Sequence, residues 1–385
     1  MEHLDDTPLR KLIRERIAAR GKIPFAEFMV ACLYEPGLGY YTSPGRKVGA
    51  EGDFYTSINV HQAFGRVIAR EICQMWETLG CPGSFEIVEA GAGHGQLAKD
   101  ILDTIRAVNG ELYAVLTCRL IETEPSLREV QRQLLAEHAG KLAWSSPDEL
   151  AAGTLRFTGC LYSNELLDSF PTHLVEMTGA GLREVYVTVA GDDFAEELDH
   201  PSTPELAEYL ARLGITLNEG QRAEINLNAV RWLAAVAGSL ERGFVLTIDY
   251  GYLAPELYGP MRQNGTLLCY YRHTIEENPY LRVGQQDMTT HVDFSTLIEQ
   301  GEAAGLKKIW YGEQYRFLVA AGIMEELMAL EAVATREEER LKLRLTIKKL
   351  LLPEGGMGDT FKVLVQGKGV ENPHLLCMRD WSRLF

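Results

Sequence analysis

The stretch FEIVEAGAGHGQLAKDIL, Phe85 to Leu102, decides the fold class of this chain. It joins a short apolar run, typical of a buried β-strand, to a helical pattern through three alternating glycines, Gly91, Gly93 and Gly95. Glycines between a strand and a helix let a ligand approach the backbone, and the start of the helix offers free N–H donors. A dinucleotide-binding fingerprint would have its third glycine where Gln96 stands, so the loop departs from that motif.

Strand and helix patterns alternate around this loop. After a helical stretch near residues 61–79, the runs FEIVEA, CRLIET, RFTGCLYSNE and GFVLTIDYG are short and apolar, with helical segments between them. A further strand is predicted at FKVLVQGKG, and residues 322–352 are predicted to form charged, solvated helices. The rhythm predicts an α/β protein with a Rossmann-like, doubly wound parallel sheet.

The overall charge argues against nucleic-acid binding. The 385 residues carry a formal net charge of -16, which repels phosphate backbones and favours a cationic partner. The seven cysteines are scattered and never in CxxC spacing, so neither disulfides nor a zinc site is indicated. No apolar run is long enough to span a bilayer, so we expect no membrane insertion and a reducing, cytoplasmic location.

An acidic residue precedes the glycine loop. Glu89 stands at the predicted carboxyl end of the strand, two residues before Gly91. A carboxylate there would repel a bound pyrophosphate, whereas it would attract the sulfonium and ammonium groups of S-adenosylmethionine. We therefore predict S-adenosylmethionine as the cofactor, bound by Glu89 and the three glycines. The alternative is that Glu89 only stabilises the start of the following helix.

A second acidic residue follows the next predicted strand. Glu122 ends the run LIET, where a carboxylate can accept hydrogen bonds from both ribose hydroxyls. Nucleoside cofactors of several kinds are held in this way, so Glu122 supports a nucleoside without choosing among them. Ser145, Ser146 and Asp148 follow the short run KLAW and are candidates to border the adenine.

The segment YSNELLDSFP after another predicted strand holds the candidate catalytic residues Asn164, Glu165 and Asp168. Enzymes that methylate base nitrogens often have an aromatic residue shortly after this position to stack on the base, but here Leu166 and Leu167 follow. An amide with two carboxylates is better suited to a guanidinium or ammonium group. For Asp168 the alternative is that it only braces the loop.

The chain is predicted to have two parts. Residues 1–80 hold an amphipathic helix, with Thr7 as its N-cap and Gly21 as its stop, and a glycine- and aromatic-rich region without lasting periodicity. Residues 81–385 are predicted to form the cofactor-binding core, with an insertion at about 170–240 that carries a hairpin and two helices.

The glycine- and aromatic-rich region is predicted to be a lid. Glycines that flank aromatic residues suit a segment that closes over a ligand. The candidate cofactor contacts in this lid are Asp53, Thr56 and Ser57.

The segment QQDMTTHVDF invites a metal interpretation. It gathers Asp287, His291 and Asp293, but this spacing matches no known metal site. Hydrogen bonding that fixes a substrate loop is the favoured interpretation, and no metal is predicted.

Taken together, these motifs resemble the MidA-type methyltransferases over almost the whole chain. The motifs that carry the resemblance are FMVACLYEPGLGYY, GDFYTS, VEAGAGHGQL, SNELLDSFP, IDYGY, GTLLCYYRH and QQDMTTHVDF. The resemblance implies a class I S-adenosylmethionine-dependent methyltransferase fold. For the mitochondrial members of this family it implies symmetric dimethylation of an arginine on a subunit of respiratory complex I.

The predicted function is therefore methyl transfer from S-adenosylmethionine to arginine side chains of a protein partner, linked to complex I assembly. Two alternatives stay open at this point, a non-catalytic S-adenosylmethionine-binding assembly chaperone and a small-molecule or nucleic-acid methyltransferase, with the missing aromatic residue and the acidic charge speaking against a nucleic acid. The predicted location is cytoplasmic, or the mitochondrial matrix for a eukaryotic protein, although the acidic residues Glu2, Asp5 and Asp6 are atypical of a transit peptide.

Overall fold

The computed structural model describes residues 7–43, 62–272, 274–352 and 360–380. The predicted lid residues Asp53, Thr56 and Ser57 lie outside these ranges. The described residues fall into two compact units, one drawn from residues 7–43, 167–231 and 251–297 and the other from residues 62–166, 232–250 and 298–380. We call them the N-terminal unit and the sheet unit.

The strands, numbered in chain order, are β1 (Ile23–Pro24), β2 (Phe85–Ala90), β3 (Leu116–Ile121), β4 (Leu142–Ser145), β5 (Phe157–Asn164), β6 (His173–Thr178), β7 (Gly181–Ala190), β8 (Asp193–Asp199), β9 (Arg222–Ile225), β10 (Leu240–Tyr252), β11 (Leu268–Tyr271), β12 (Thr274–Glu276), β13 (Asp287–Thr289), β14 (Val292–Asp293), β15 (Lys307–Glu313) and β16 (Phe361–Lys368).

The α-helices are α1 (Pro8–Arg20), α2 (Phe25–Tyr34), α3 (Ala63–Thr78), α4 (Gln96–Val108), α5 (Gly110–Val115), α6 (Pro125–Leu134), α7 (Pro147–Ala151), α8 (Glu205–Arg212), α9 (Leu227–Ser239), α10 (Ala254–Leu257), α11 (Phe294–Ala303), α12 (Gln314–Ala320), α13 (Ile323–Val333) and α14 (Glu337–Leu351). Short 3₁₀ helices lie at Ala136–Lys141 and Leu376–Met378.

The sheet unit is built on a twisted sheet with the strand order β15-β16-β10-β5-β2-β3-β4. Strands β4, β3, β2, β5 and β10 pair in parallel, and β16 is antiparallel to both of its neighbours. The chain runs outward from β2 to β4 and then returns to the other side of β2 as β5. The order of the strands thus reverses between β2 and β5, where doubly wound sheets bind their ligands. The predicted doubly wound fold is confirmed.

Apolar residues fill the space between the sheet and its helices. Phe64 and Ile68 of α3, Leu97 and Ile101 of α4 and Leu120 of β3 are fully or almost fully buried in one hydrophobic cluster. The two helices present this apolar stripe because their buried positions recur every three or four residues. The cluster fixes α4, and with it the loop that precedes α4, against the sheet.

The N-terminal unit has its own sheet and core. Along one edge, β7 pairs with β6 and, further along, with β1, while its other edge pairs with β8. Strand β9 pairs with β6, and all of these pairs are antiparallel. Ile13 of α1, Phe25 and Phe28 of α2, and Val185 and Val187 of β7 are buried in one cluster. A second sheet in this unit has the order β12-β11-β13.

Local sequence signals predicted α1 correctly but missed α2. The side chain of Thr7 accepts a hydrogen bond from the backbone of Arg10, and Gly21 ends α1 with a φ of 84°. Helix α2 lies in the region that we expected to lack regular structure. Seven of its ten residues are buried, so it is apolar on nearly every side and shows no amphipathic period.

The units divide the chain differently from the predicted boundary at residue 80. Ile23 and Pro24 of β1 pair with Val187 and Tyr186 of β7, so the start of the chain belongs with the predicted insertion. Residues 251–297 belong to the same unit. This unit is therefore made of segments that do not follow one another in the sequence, and a single boundary cannot describe it. Within the described ranges, no helix combines the length and the apolarity that a membrane crossing requires.

Candidate active site

The glycine loop connects β2 to α4 at the reversal point of the sheet. Gly91, Gly93 and Gly95 have φ values of 77°, 50° and 91°, a left-handed backbone region that residues with a Cβ atom rarely adopt. Gly93 is exposed, and a Cβ placed on it would meet no atom within 4 Å. The loop therefore leaves open space for a ligand above its backbone, as the sequence predicts.

Glu89 lies beneath this loop rather than open to solvent. The residue is 2% exposed, and its Oε2 accepts a hydrogen bond from the Tyr162 hydroxyl at 3.0 Å. The backbone of Ala98, in the first turn of α4, also donates to the carboxylate, and burial raises the pKa of Glu89 to about 8. These contacts agree with the alternative role of Glu89, in which its side chain stabilises the start of α4. Direct pairing of Glu89 with a cofactor cation stays a prediction.

Burial of Glu89 makes the stability of the protein pH-dependent. Its pKa is raised from the ordinary value of 4.5 to about 8, so the folded protein keeps a proton that the unfolded chain releases. This contribution to the free energy of unfolding is complete below pH 4.5 and is lost as the pH rises through 8. The Glu89→Gln variant has no titrating carboxyl group at this position, so its free energy of unfolding lacks this pH-dependent contribution. We expect the stability of the variant relative to wild type to rise over that range, by at most about 1.4 kcal/mol per pH unit.

Urea denaturation at several pH values measures this difference. Other buried carboxyls, such as Glu71 with a pKa of about 7, titrate in both proteins and cancel. Glu111→Gln is the matched control because Glu111 is exposed on α5, and its difference from wild type should stay constant. A pH-independent difference for Glu89→Gln would contradict the prediction.

Glu122 follows β3 at the edge next to the loop, where it was predicted to lie. Its Oε1 accepts hydrogen bonds from the backbone of Thr123 at 2.8 Å and of Glu124 at 2.9 Å. Gln131 Nε2 lies 3.5 Å from Oε2. A carboxylate has about four acceptor sites, so these contacts orient it and leave capacity for ribose hydroxyls. The role of Glu122 toward the cofactor stays a prediction.

The predicted adenine-bordering residues take part in structural contacts. Ser145 is 3% exposed and its hydroxyl accepts a hydrogen bond from Arg119 Nη1 at 3.0 Å. Ser146 is the N-cap of α7 and forms a capping box with Glu149. Asp148 is exposed in the first turn of α7. Their contact with adenine stays a prediction.

Asn164 ends β5 and Glu165 follows it, across the reversal point from the glycine loop. Asn164 is 6% exposed and its Nδ2 donates to Glu165 Oε1 at 2.9 Å. An ionised carboxylate only accepts, which fixes the orientation of the amide. Asn164 Oδ1 is buried without a hydrogen-bond partner among the described residues. A buried acceptor in this condition is costly, so it fits a donor supplied by a ligand.

The backbone at Glu165 is strained, and a buried acid supports it. Glu165 has a φ of 52°, and its N–H donates to the carbonyl of Ile248 at 3.0 Å. Asp249, fully buried at the end of the parallel part of β10, accepts from the backbone of Leu166 at 3.2 Å and of Tyr250 at 2.9 Å. Left-handed conformations of residues with a side chain cluster at functional sites. These contacts hold the Glu165 side chain at the carboxyl edge of the sheet.

Asp168, the third candidate catalytic residue, belongs to the N-terminal unit. It is 5% exposed, and its carbonyl accepts from the backbone of Thr290 at 2.9 Å. In the same unit the Tyr34 hydroxyl donates to the carbonyl of Ser169 at 3.0 Å. Burial raises the pKa of Tyr34, and the charge of Asp168 raises it further. These backbone contacts agree with the bracing alternative, and a catalytic role for Asp168 stays a prediction.

The residues of QQDMTTHVDF form hydrogen bonds of the kind favoured above. Asp287 Oδ1 accepts from the Tyr41 hydroxyl at 2.8 Å, and Asp293 Oδ2 accepts from the Tyr209 hydroxyl at 2.8 Å. Burial lowers the pKa of His291 to about 4. In the described ranges no group of three or more histidine, cysteine or acidic side chains is placed to hold a metal ion.

Two residues that support the site were not found from the sequence. Tyr162 faces Glu89 because the two residues are register partners in the parallel pair β2–β5. The pair depends on the register of β2 against β5, which the sequence alone does not fix. Gln131 is fully buried on α6 and donates to the carbonyl of Gly93 at 2.8 Å. Nothing in the sequence around Gln131 signals this contact.

The site fits S-adenosylmethionine. Gly93 has open space around its missing Cβ, the Glu122 carboxylate is oriented by backbone donors, and Asn164 Oδ1 is buried without a donor among the described residues. They lie at the reversal point of a doubly wound sheet that carries an antiparallel strand, β16, beside β10. Fold and site together define a class I S-adenosylmethionine-dependent methyltransferase.

Comparison with known proteins supports this class. Residues 67–312 match the family described as "Putative S-adenosyl-L-methionine-dependent methyltransferase", and the chain belongs to this family. A Burkholderia thailandensis protein solved with bound S-adenosyl-homocysteine is 31% identical, with a TM-score of 0.86. That similarity covers 97% of this chain and 94% of the other. The predicted cofactor is thereby confirmed.

Curated relatives match over nearly the whole chain. The mitochondrial protein arginine methyltransferase NDUFAF7 homolog of Drosophila melanogaster is 29% identical over 95% of this chain and 86% of its own length. The mitochondrial protein arginine methyltransferase NDUFAF7 of Homo sapiens is 26% identical over 92% of this chain and 82% of its own length. The predicted resemblance is confirmed, and the location of this chain stays a prediction.

Proposed function

We propose that this methyltransferase modifies the guanidinium group of arginine side chains in a protein substrate. The observation that carries the proposal is the pair formed by Asn164 and Glu165, in which a buried amide oxygen with no donor in the described part of the chain lies beside a carboxylate. An arginine side chain offers five N–H donors and a positive charge, which match an acceptor and an acid. The relatives described above are named as protein arginine methyltransferases.

Asn164 and Glu165 divide the work of the reaction. The bound cofactor supplies an electrophilic methyl group on a sulfonium sulfur. Asn164 Oδ1 accepts an N–H of the guanidinium and orients the nitrogen that is to be methylated. Glu165 localises the positive charge on the far nitrogens and receives the proton that the methylated nitrogen loses. Transfer of the methyl group from the sulfonium to the guanidinium nitrogen would leave S-adenosylhomocysteine and methylarginine as the products.

Positioning accounts for most of the expected rate. The Glu165 backbone is held by the carbonyl of Ile248, and the next residue is held by Asp249. Groups that are fixed before the substrate arrives lose little entropy on reaction. Asp168, three residues further along the chain, is proposed as a second group that binds the substrate cation.

A protein substrate is favoured over a nucleic acid by the side chains that follow Asn164. Leu166 and Leu167 stand where a base-stacking aromatic residue would be needed, and the net charge of -16 repels phosphates. The resemblance to MidA-type proteins extends the proposal to a subunit of respiratory complex I as the substrate.

Mass spectrometry tests this function. Purified subunits of respiratory complex I are incubated with the enzyme and with S-adenosylmethionine that carries a deuterated methyl group. Deuterated methyl groups on arginine support the proposal, and their pattern distinguishes monomethylation from dimethylation. Tight S-adenosylmethionine binding without transfer to any protein would instead support an assembly chaperone, and label on a small molecule would overturn the protein substrate.

A further inference from the structure

One fully buried amide, that of Gln131 on α6, joins two parts of the cofactor site to a tryptophan. Its Nε2 donates to the carbonyl of Gly93 at 2.8 Å and lies 3.5 Å from Glu122 Oε2. Its Oε1 accepts from the indole of Trp144 at 2.8 Å. We propose that Gln131 is a positioning residue that holds the glycine loop and Glu122 in the arrangement that binds S-adenosylmethionine. This inference rests on the cofactor site of the proposed function.

The orientation of the Gln131 amide follows from its partners. The indole N–H of Trp144 can only donate, and the carbonyl of Gly93 can only accept. Oε1 must therefore face Trp144, and Nε2 must face Gly93, with its second hydrogen available to Glu122. The Gln131 amide supplies the acceptor for Trp144 and both N–H donors from one side chain.

The glycine loop depends on this contact for its shape. Gly93 is exposed and left-handed, and the space around its missing Cβ is open, so packing does not hold its peptide group. The stem of Gln131 also supports the end of the loop, because a Cβ on Gly95 would lie 3.4 Å from Gln131 Cγ. Without Gln131, the Gly93 carbonyl loses this donor, and the turn bond from the Gly95 N–H to the Ala92 carbonyl at 2.8 Å is left to constrain the loop. The alignment of the loop N–H groups toward the cofactor is then weakened.

The ribose side of the site is held by the same helix. Arg128, one turn before Gln131 on α6, donates from Nε to the carbonyl of Glu122 at 2.9 Å. Residues three apart on a helix share a face, so Arg128 holds the backbone of Glu122 while Gln131 orients its side chain. Helix α6 thus sets the distance between the ribose acceptor and the glycine loop.

Isothermal titration calorimetry of the intact protein with S-adenosylhomocysteine tests this role. Gln131→Met keeps the length of the side chain but loses all three polar contacts. We expect its Kd to rise about 10-fold, the effect of leaving buried polar groups unpaired, with an unchanged binding stoichiometry. Misfolding would lower the stoichiometry instead, because the remaining folded molecules would bind normally.

Two further variants complete the test. Gln133→Met is the matched control, because Gln133 lies on the exposed face of α6 and its Nε2 donates to Oε1 of the exposed Glu129 at 3.0 Å. Its Kd should equal that of wild type. Trp144→Phe removes the bond that orients the amide, together with part of the ring that Arg132 covers at 4.9 Å, and we expect a Kd between those of wild type and Gln131→Met.

The inference is overturned if Gln131→Met binds S-adenosylhomocysteine within twofold of wild type, or if it loses only stoichiometry. The measurement needs no methyl acceptor. A failure to methylate arginine therefore leaves this result standing, and an unchanged Kd leaves the proposed function standing.

Discussion

Glu165→Gln is expected to lower methyl transfer by about 100-fold to 10,000-fold, the range found when a general base is removed. The variant keeps an oxygen that can accept from Asn164 Nδ2, so the local contact at 2.9 Å is preserved. What it loses is the negative charge that localises the guanidinium charge and the site that receives the proton. Single-turnover assays with deuterated S-adenosylmethionine measure the rate, and calorimetry with S-adenosylhomocysteine should show an unchanged Kd.

The control for Glu165 lies at the opposite edge of the same sheet. Glu241 is exposed near the amino end of β10, whereas Glu165 follows the carboxyl end of β5. Glu241→Gln removes the same charge from the protein and should leave transfer unchanged. If Glu165→Gln turns over at the wild-type rate, Glu165 has no part in the reaction and the mechanism above is wrong.

Glu122→Gln is expected to raise the Kd for S-adenosylhomocysteine by about 30-fold to 100-fold. Hydrogen bonds to a charged acceptor contribute about 1.5–3 kcal/mol each, and the variant replaces one acceptor oxygen with a donor. The remaining carbonyl can still accept from the backbone of Thr123 and Glu124, so the turn is kept. The loss should therefore fall on the ribose hydroxyls.

A ligand without these hydroxyls identifies the contact. The dideoxy-ribose analogue of S-adenosylhomocysteine has no ribose hydroxyls that could donate to the side chain at position 122. We therefore expect wild type and Glu122→Gln to bind this analogue with similar Kd values. Glu129→Gln on the exposed face of α6 serves as the charge-matched control. Equal affinity of Glu122→Gln and wild type for S-adenosylhomocysteine itself would remove Glu122 from the cofactor site.

The Glu89 carboxylate shows how far sequence reasoning reached at this site. Its place before the glycine loop was predictable, because strand periodicity and the glycines locate the carboxyl end of β2. The contacts that Glu89 makes could not be predicted from the sequence. Tyr162 stands far along the chain and meets Glu89 only because β2 and β5 pair in parallel with one particular register. The cofactor predicted from Glu89 is confirmed. The hydrogen bonds of Glu89 in the structure come from Tyr162 and from the backbone of Ala98 in α4, and its pairing with the cofactor stays a prediction.

The amino-acid sequence by itself determined the class of the protein. Alternating strand and helix periods specify a doubly wound sheet, and the glycines with Glu122, Asn164 and Glu165 predict the edge at which the ligand binds, because these signals are local along the chain. Only the tertiary structure revealed the Gln131 bridge and the joining of β1 to β7. Both depend on which distant segments pack together, and that choice arises from the free energy of the whole core rather than from any short pattern.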